Sequence, residues 1–210
     1  MTGQFSPAFR EELAALMRWR RDVRRFRADP VPEDLLARGL QAFALAPSVG
    51  LSEPWRLLRI VSPEARAACL ANYRACNAQA LEGFDGDRAL SYSRLKLSGM
   101  AEAPVHLSVF CDEATPKGHG LGAATMPETR AYSVVGAITH LWLALRAQGL
   151  GLGWVSILDQ SRLARDLDVP ANWRFIGYLC IGWPEEDDTV PELERAGWET
   201  RSPALHLETR

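Results

Sequence analysis

Residues 128–148 constrain the fold more than any other stretch of this chain. Tyr132, Val135, Thr139, Trp142 and Arg146 step by three and four, the spacing of one helix face. Val134, Ile138, Leu141 and Leu145 are apolar as well, so the hydrophobic surface runs most of the way round. Such a helix must be covered on most sides, which makes it central. Gly149 follows where a left-handed cap would stand. Residues 151–158 (GLGWVSIL) then read as a glycine-led strand.

The rest of the chain supplies the covering elements. Ser6-Pro7 starts a helix with Pro7 at its first position, and Phe9, Leu13, Leu16 and Met17 recur at helical spacing. That helix is expected to carry Arg20-Arg21-Asp22-Val23-Arg24 near its end. Pro30 and Pro32 break the chain. A second helix with Leu36, Leu40 and Phe43 stops before Ala46-Pro47-Ser48-Val49-Gly50. Strands are expected at 56–61, 105–111 and 175–183. A long helix runs from Ser62-Pro63 to about residue 81, and a short one spans 161–168. Residues 112–127 read as a long loop over or beside a site. The outcome is an α+β domain with about four strands and five or more helices. It is not a doubly wound nucleotide fold, since no GxGxxG follows the first strand and no P-loop is present. The run Gly149-Leu150-Gly151-Leu152-Gly153 leaves two readings open. One is a phosphate cradle, disfavoured because a strand and not a helix follows. The other is a cap leading into a strand whose backbone something approaches closely, such as a flat ring.

At 210 residues the chain fits one domain over 1–210. A net charge of −2 argues against nucleic acid, which calls for a broad basic patch. It does not count against a small phosphate ligand held by a few arginines. The cysteines at 69, 76, 111 and 180 form no CxxC, and the histidines at 106, 119, 140 and 206 show no metal-ligand spacing. No metal is expected. The polar start Met1-Thr2-Gly3-Gln4 lacks a signal-peptide core, and no apolar run approaches twenty residues. A cytoplasmic protein with reduced thiols and no membrane segment is the expectation.

Three guanidinium groups within residues 20–24 suit a phosphate, because Arg grips it through paired hydrogen bonds. A solvated basic helix end would look the same. Asp22 weakens an anion site unless it has another task, and the cations around it should stabilise its ionised form. It could serve as a base, or merely order the arginines. Ser156 lies at the end of the glycine-led strand without a Gly-x-Ser-x-Gly elbow, so serine-hydrolase chemistry is a poor reading.

The residues 20–24, Ala46-Pro47-Ser48, Pro54-Trp55 and the late glycine-rich strand together resemble the flavin-dependent nitroreductase family. Ordinary members usually have Ser where this chain has Asp22. That departure is similar to the 5,6-dimethylbenzimidazole synthase branch of the family. So are Phe26, Ser48-Val49-Gly50, Arg94-Leu95-Lys96-Leu97-Ser98-Gly99, Cys111-Asp112, Tyr132-Ser133, Leu141-Trp142-Leu143-Ala144, Arg146-Ala147, Gly151-Leu152-Gly153-Trp154-Val155-Ser156, Pro191-Glu192-Leu193 and Gly197-Trp198. The likeness covers roughly residues 10 to 201. Ser52-Glu53 stands where the branch more often has Met-Gln.

The resemblance implies a nitroreductase-like fold, a central mixed or antiparallel sheet surrounded by helices, in a homodimer with FMN at the subunit interface. It implies a lid-like segment around 83–103 and an extended tail over 184–210. Arg20, Arg21, Asp22, Val23 and Arg24 would wrap the FMN phosphate and ribityl chain. Ser48, Lys96, Leu97 and Ser156 would lie near the ring, and Arg201 would reach the phosphate from the tail. Asp22 and Ser156 would be catalytic, Ser156 by supporting the reaction with oxygen. Reduced FMN is then consumed with O₂ to give 5,6-dimethylbenzimidazole, the lower ligand of cobalamin, with erythrose 4-phosphate as the sugar fragment. NAD(P)H would enter only through a separate flavin reductase. The rivals are an FMN-dependent NAD(P)H nitroreductase and a flavin-binding protein without turnover.

Overall fold

The computed structural model describes residues 3–83, 86, 98–202 and 204–210. Helix α1 spans Pro7–Trp19, opened by Ser6 Oγ accepting the Phe9 N–H at 3.2 Å. Helix α2 spans Glu33–Ala44, strand β1 Trp55–Arg59, and helix α3 Pro63–Glu82. Ser62 caps α3 in the same way, accepting the Ala65 N–H at 3.2 Å. Then come α4 (Gly99–Glu102), β2 (Val105–Asp112), α5 (Thr129–Arg146), β3 (Gly151–Val155), α6 (Gln160–Asp166), β4 (Trp173–Gly182) and α7 (Glu192–Arg195).

The four strands form one antiparallel sheet in the order β1-β2-β4-β3. Side chains alternate across a strand, and β2 and β4 are buried on both faces. Leu107, Val109, Leu179 and Ile181 meet Leu36 and Phe43 of α2 and Val134, Ile138, Leu141 and Leu145 of α5. On the other face Tyr178 and Cys180 join Cys69 and Tyr73 of α3, Met100 of α4 and Leu163 of α6. The result is two helical layers around one sheet. His106 belongs to the second face, 1% exposed, with Nδ1 2.8 Å from Tyr178 Oη. Burial pushes its imidazole down to about 4, so it stays neutral and structural.

Helix α5 ends where the pattern placed it. Gly149 has φ +81°, and Leu150 N–H returns to the Leu145 carbonyl at 3.0 Å. It is not covered all round, however. Its inner face is fully buried, while Tyr132 and Val135 are 60% and 41% exposed. The apolar stripe of α1 is likewise open within this chain, with Phe9 and Met17 exposed and no residue buried.

The larger correction concerns residues 20–24. The helix stops at Trp19, and Arg20 turns to an extended conformation (φ −65°, ψ 121°). From there the chain runs along β3, which stands at the edge of the sheet. Val23 N–H donates to the Leu152 carbonyl at 3.1 Å, and Arg27 N–H to that of Trp183 at 2.9 Å. An edge strand with unpaired backbone groups is a liability that such a cover removes. Staying helical through residue 24 would have left it bare.

Candidate active site

The extended segment explains the glycines of β3. A Cβ on Gly153 would overlap the Val23 carbonyl oxygen, and one on Gly151 would lie 2.7 Å from Val23 Cγ2. The close approach inferred from the glycines is therefore made by the protein's own chain. Gly149 is a helix cap, and the run is no phosphate cradle.

This contact seats Asp22. Its Oδ1 accepts the Trp154 N–H at 2.8 Å, while Arg24 Nε lies 3.8 Å from Oδ2. The expected effect of the arginines is reversed. Burial outweighs the Trp154 N–H and the Arg24 and Arg20 charges, and Glu192 adds to it, so the carboxyl holds its proton above the usual range. The side chain remains 38% exposed, which limits how far burial carries the shift and leaves the group open to a ligand.

Arg20 stacks on Trp142, its Cζ 4.7 Å from the ring centroid. Trp142 in turn donates through Nε1 to the Arg21 carbonyl at 3.3 Å and packs against Trp154. The Arg21 guanidinium reaches the carbonyls of Arg20 and Thr189, yet its Nε is buried with no partner. Arg201 lines the same groove as Arg21 and Trp19. Burial, and then the charges of Arg20 and Arg201, push the Arg21 guanidinium below the usual arginine range. Crowded cations with an unmet donor are what a bound dianion relieves, so this donor set fits a phosphate monoester such as that of FMN.

Other expected site residues are more spread. Ser156 lies just past β3, two residues beyond Trp154, with an exposed side chain. Ser48 sits in the turn before β1, where its Oγ accepts the Glu53 N–H at 3.0 Å and keeps its own proton to donate. Leu51 (φ 55°) and Glu53 (φ 41°) are held left-handed there, and Glu53 pairs with Lys117. The 112–127 loop packs on this turn, with the Leu121 carbonyl beside Gly50. Lys96, Leu97 and most of the 83–103 segment lie outside the described residues. Trp142 and Trp154 stood out in the sequence only as parts of the stretches that carry the resemblance. No sequence signal marked them as the wall that holds Arg20 and Arg21.

The fold and the sequence have known counterparts. The model of the nitroreductase family matches residues 17–183. A solved structure of iodotyrosine deiodinase, bound to FMN and 3-iodo-L-tyrosine, superposes with a TM-score of 0.70 at 23% identity, covering 94% of this chain and 97% of that one. The chain belongs to the nitroreductase family. Within it, the chain is 56% identical over 199 residues to the 5,6-dimethylbenzimidazole synthase of Rhodospirillum rubrum, covering 95% of this chain and 94% of that protein. It is 46% identical to the synthase of the same name from Rhodobacter capsulatus, covering 95% and 96%.

Proposed function

We propose that this chain makes 5,6-dimethylbenzimidazole for cobalamin by the oxygen-dependent fragmentation of reduced FMN. The observation that carries the reading is the seat of Asp22. A carboxylate with raised proton affinity stands beside a cluster of arginines suited to a phosphate, partly open to solvent, in a chain 56% identical to a synthase of that name. Reduced FMN supplies both the electrons for O₂ and the carbon skeleton of the product, so it is substrate here.

Arg20, Arg21, Arg24 and Arg201 hold the phosphate, and the extended backbone at Val23 lies along the ribityl chain. Asp22 takes a proton from that chain. Its hold on the Trp154 N–H keeps one oxygen fixed and leaves the other to act. Ser48 donates its free proton at the ring edge, and Ser156 orients the ring toward oxygen. A separate flavin reductase supplies the reduced FMN, and the four free thiols suit a reducing, cytoplasmic compartment. Among the described residues, no helix is long and apolar enough to cross a membrane.

The test is a single turnover. Protein and FMN are reduced without oxygen, air is admitted, and the benzimidazole is quantified. An ordinary nitroreductase or a flavin-binding protein would return oxidised FMN alone, and that outcome would overturn the reading.

Two expectations accompany it. Arg20→Ala should weaken reduced FMN about tenfold or more, a charge-assisted contact being worth roughly 1.5–3 kcal/mol. Riboflavin, which lacks the phosphate, should bind both proteins equally poorly. Equal FMN affinity in an anaerobic titration would place Arg20 outside the site. The second expectation is assembly. Tyr132 and Val135 on α5, with Leu51, Leu121 and Met126, leave large apolar side chains exposed. A second copy would cover them and bring the FMN to the interface. Sedimentation should give about twice the 23.3 kDa of one chain, and Val135→Asp should lower that mass.

A further inference from the structure

The segment Pro191-Glu192-Leu193 has no part in the reaction described above, yet it folds back onto the Asp22 strand. Pro191 opens the short helix α7 and places Glu192 in its first turn. Glu192 lines one narrow cleft together with Asp22, Arg24 and Arg25. Its side chain is only 21% exposed, and Arg25 Nη2 lies 3.8 Å from its Oε1. Arg25 also hydrogen-bonds the tail through its carbonyl, which accepts the Glu185 N–H at 3.2 Å. The other tail carboxylates in the cleft have Arg195 as a partner, which Glu192 lacks. Glu186 and Asp188 both pair with Arg195, at 3.9 and 3.2 Å. Among the described residues, Glu192 has only the long contact to Arg25, which Arg25 divides with Glu185 and Glu186.

We propose that Glu192 is a positioning residue of this site, a second carboxylate held in the Asp22 cleft by Arg25 that governs when Asp22 carries its proton. The inference rests on the reading of Asp22 as the proton acceptor. A carboxylate that must take a proton needs a proton affinity nearer the working pH than a bare aspartate offers. The groups facing Asp22 divide by sign. Arg24 and Arg20, from its own segment, favour the ionised form, as does the Trp154 N–H from β3. From β4 comes Cys180, whose thiol burial keeps protonated. From α7 comes Glu192, whose negative charge favours the protonated form. Arg21, Arg25, Glu186, Asp188 and Arg195 complete the cleft, with cations and anions mixed.

The decisive variant is Glu192→Gln, which keeps shape and removes charge. In flavin-free protein carrying ¹³C-labelled aspartate, the Asp22 carboxyl signal is assigned by its loss in Asp22→Asn and then titrated. Without the Glu192 charge, ionised Asp22 is less disfavoured, so its midpoint should fall by about half a pH unit or more. The acid limb of product yield in single turnovers should move down with it. Glu192→Asp retains the charge and should restore much of the wild-type midpoint, while Glu186→Gln should move it less than Glu192→Gln does. An unmoved midpoint in folded Glu192→Gln overturns the proposal, even if product falls, because a purely structural role would lower yield at every pH. Product formation by Asp22→Asn would instead overturn the role of Asp22, and the titration would still decide that of Glu192.

Discussion

Replacing Asp22 by Asn is expected to leave reduced FMN bound and oxidisable while 5,6-dimethylbenzimidazole formation falls about 10²–10⁴-fold, the usual worth of a positioned base. The amide oxygen of Asn can still accept the Trp154 N–H, so the segment beside β3 keeps its anchor. The fold should not suffer either. A carboxyl whose proton affinity is raised on folding adds its full stability below its unfolded pKa and loses it as pH rises through the folded value. Above that folded value the ionised carboxylate is a cost that the neutral Asn removes, so there the variant should melt no lower than the parent. Ser156→Ala makes the companion. It should still fragment FMN, with lower yield and more hydrogen peroxide, because the ring then meets oxygen less well oriented. Single turnovers with product and peroxide both quantified separate the two. Wild-type product from Asp22→Asn would reduce the carboxylate to a partner of Arg24.

Gly153→Ala is expected to damage fold and site together. Its new methyl would overlap the Val23 carbonyl oxygen, a backbone atom that cannot rotate aside. Either β3 or the 20–26 segment must shift, at a cost of about 2–3 kcal/mol for overpacking, which lowers the melting temperature by roughly 5–10 °C in a chain of this size. Because Arg20 and Asp22 ride on the displaced segment, FMN binding and product should fall as well. Gly151→Ala is the control. Its methyl meets Val23 Cγ2 at 2.7 Å and Pro184 Cγ at 2.9 Å, side-chain atoms with some room to give, so the loss should be smaller. A melting temperature unchanged in Gly153→Ala would mean that the segment does not lie against β3 in solution.

The boundary between what could be read and what could not runs along particular residues. Ser6-Pro7 and Ser62-Pro63 announced α1 and α3, because a cap is completed within three residues. Gly149 announced the end of α5 for the same reason. Strands β1 to β4 came out within a few residues of their expected bounds, since alternation is a property of adjacent positions. The family resemblance then named Asp22, Ser156 and the arginines as one set. The extended course of residues 20–26 was missed. It depends on the free edge of β3, and the Asp22 bond to Trp154 spans 132 positions.

The sequence by itself thus determined the longer helices, the strands and the central place of α5. Each rests on chemistry local to a few residues. Only the tertiary structure decided that the arginine segment leaves its helix to cover β3, that the glycines of β3 make room for Val23, and that Arg201 stands with Arg21. It also reversed the electrostatics of Asp22. Proton affinity is a sum over burial and every neighbouring charge or dipole, and those neighbours come from β3 and α7 as well as from the arginines beside it in sequence. The outward face of α5 shows the same division. Its apolar pattern is local, but which side meets the sheet, and which stays exposed, follows from how α2 and the four strands close over it.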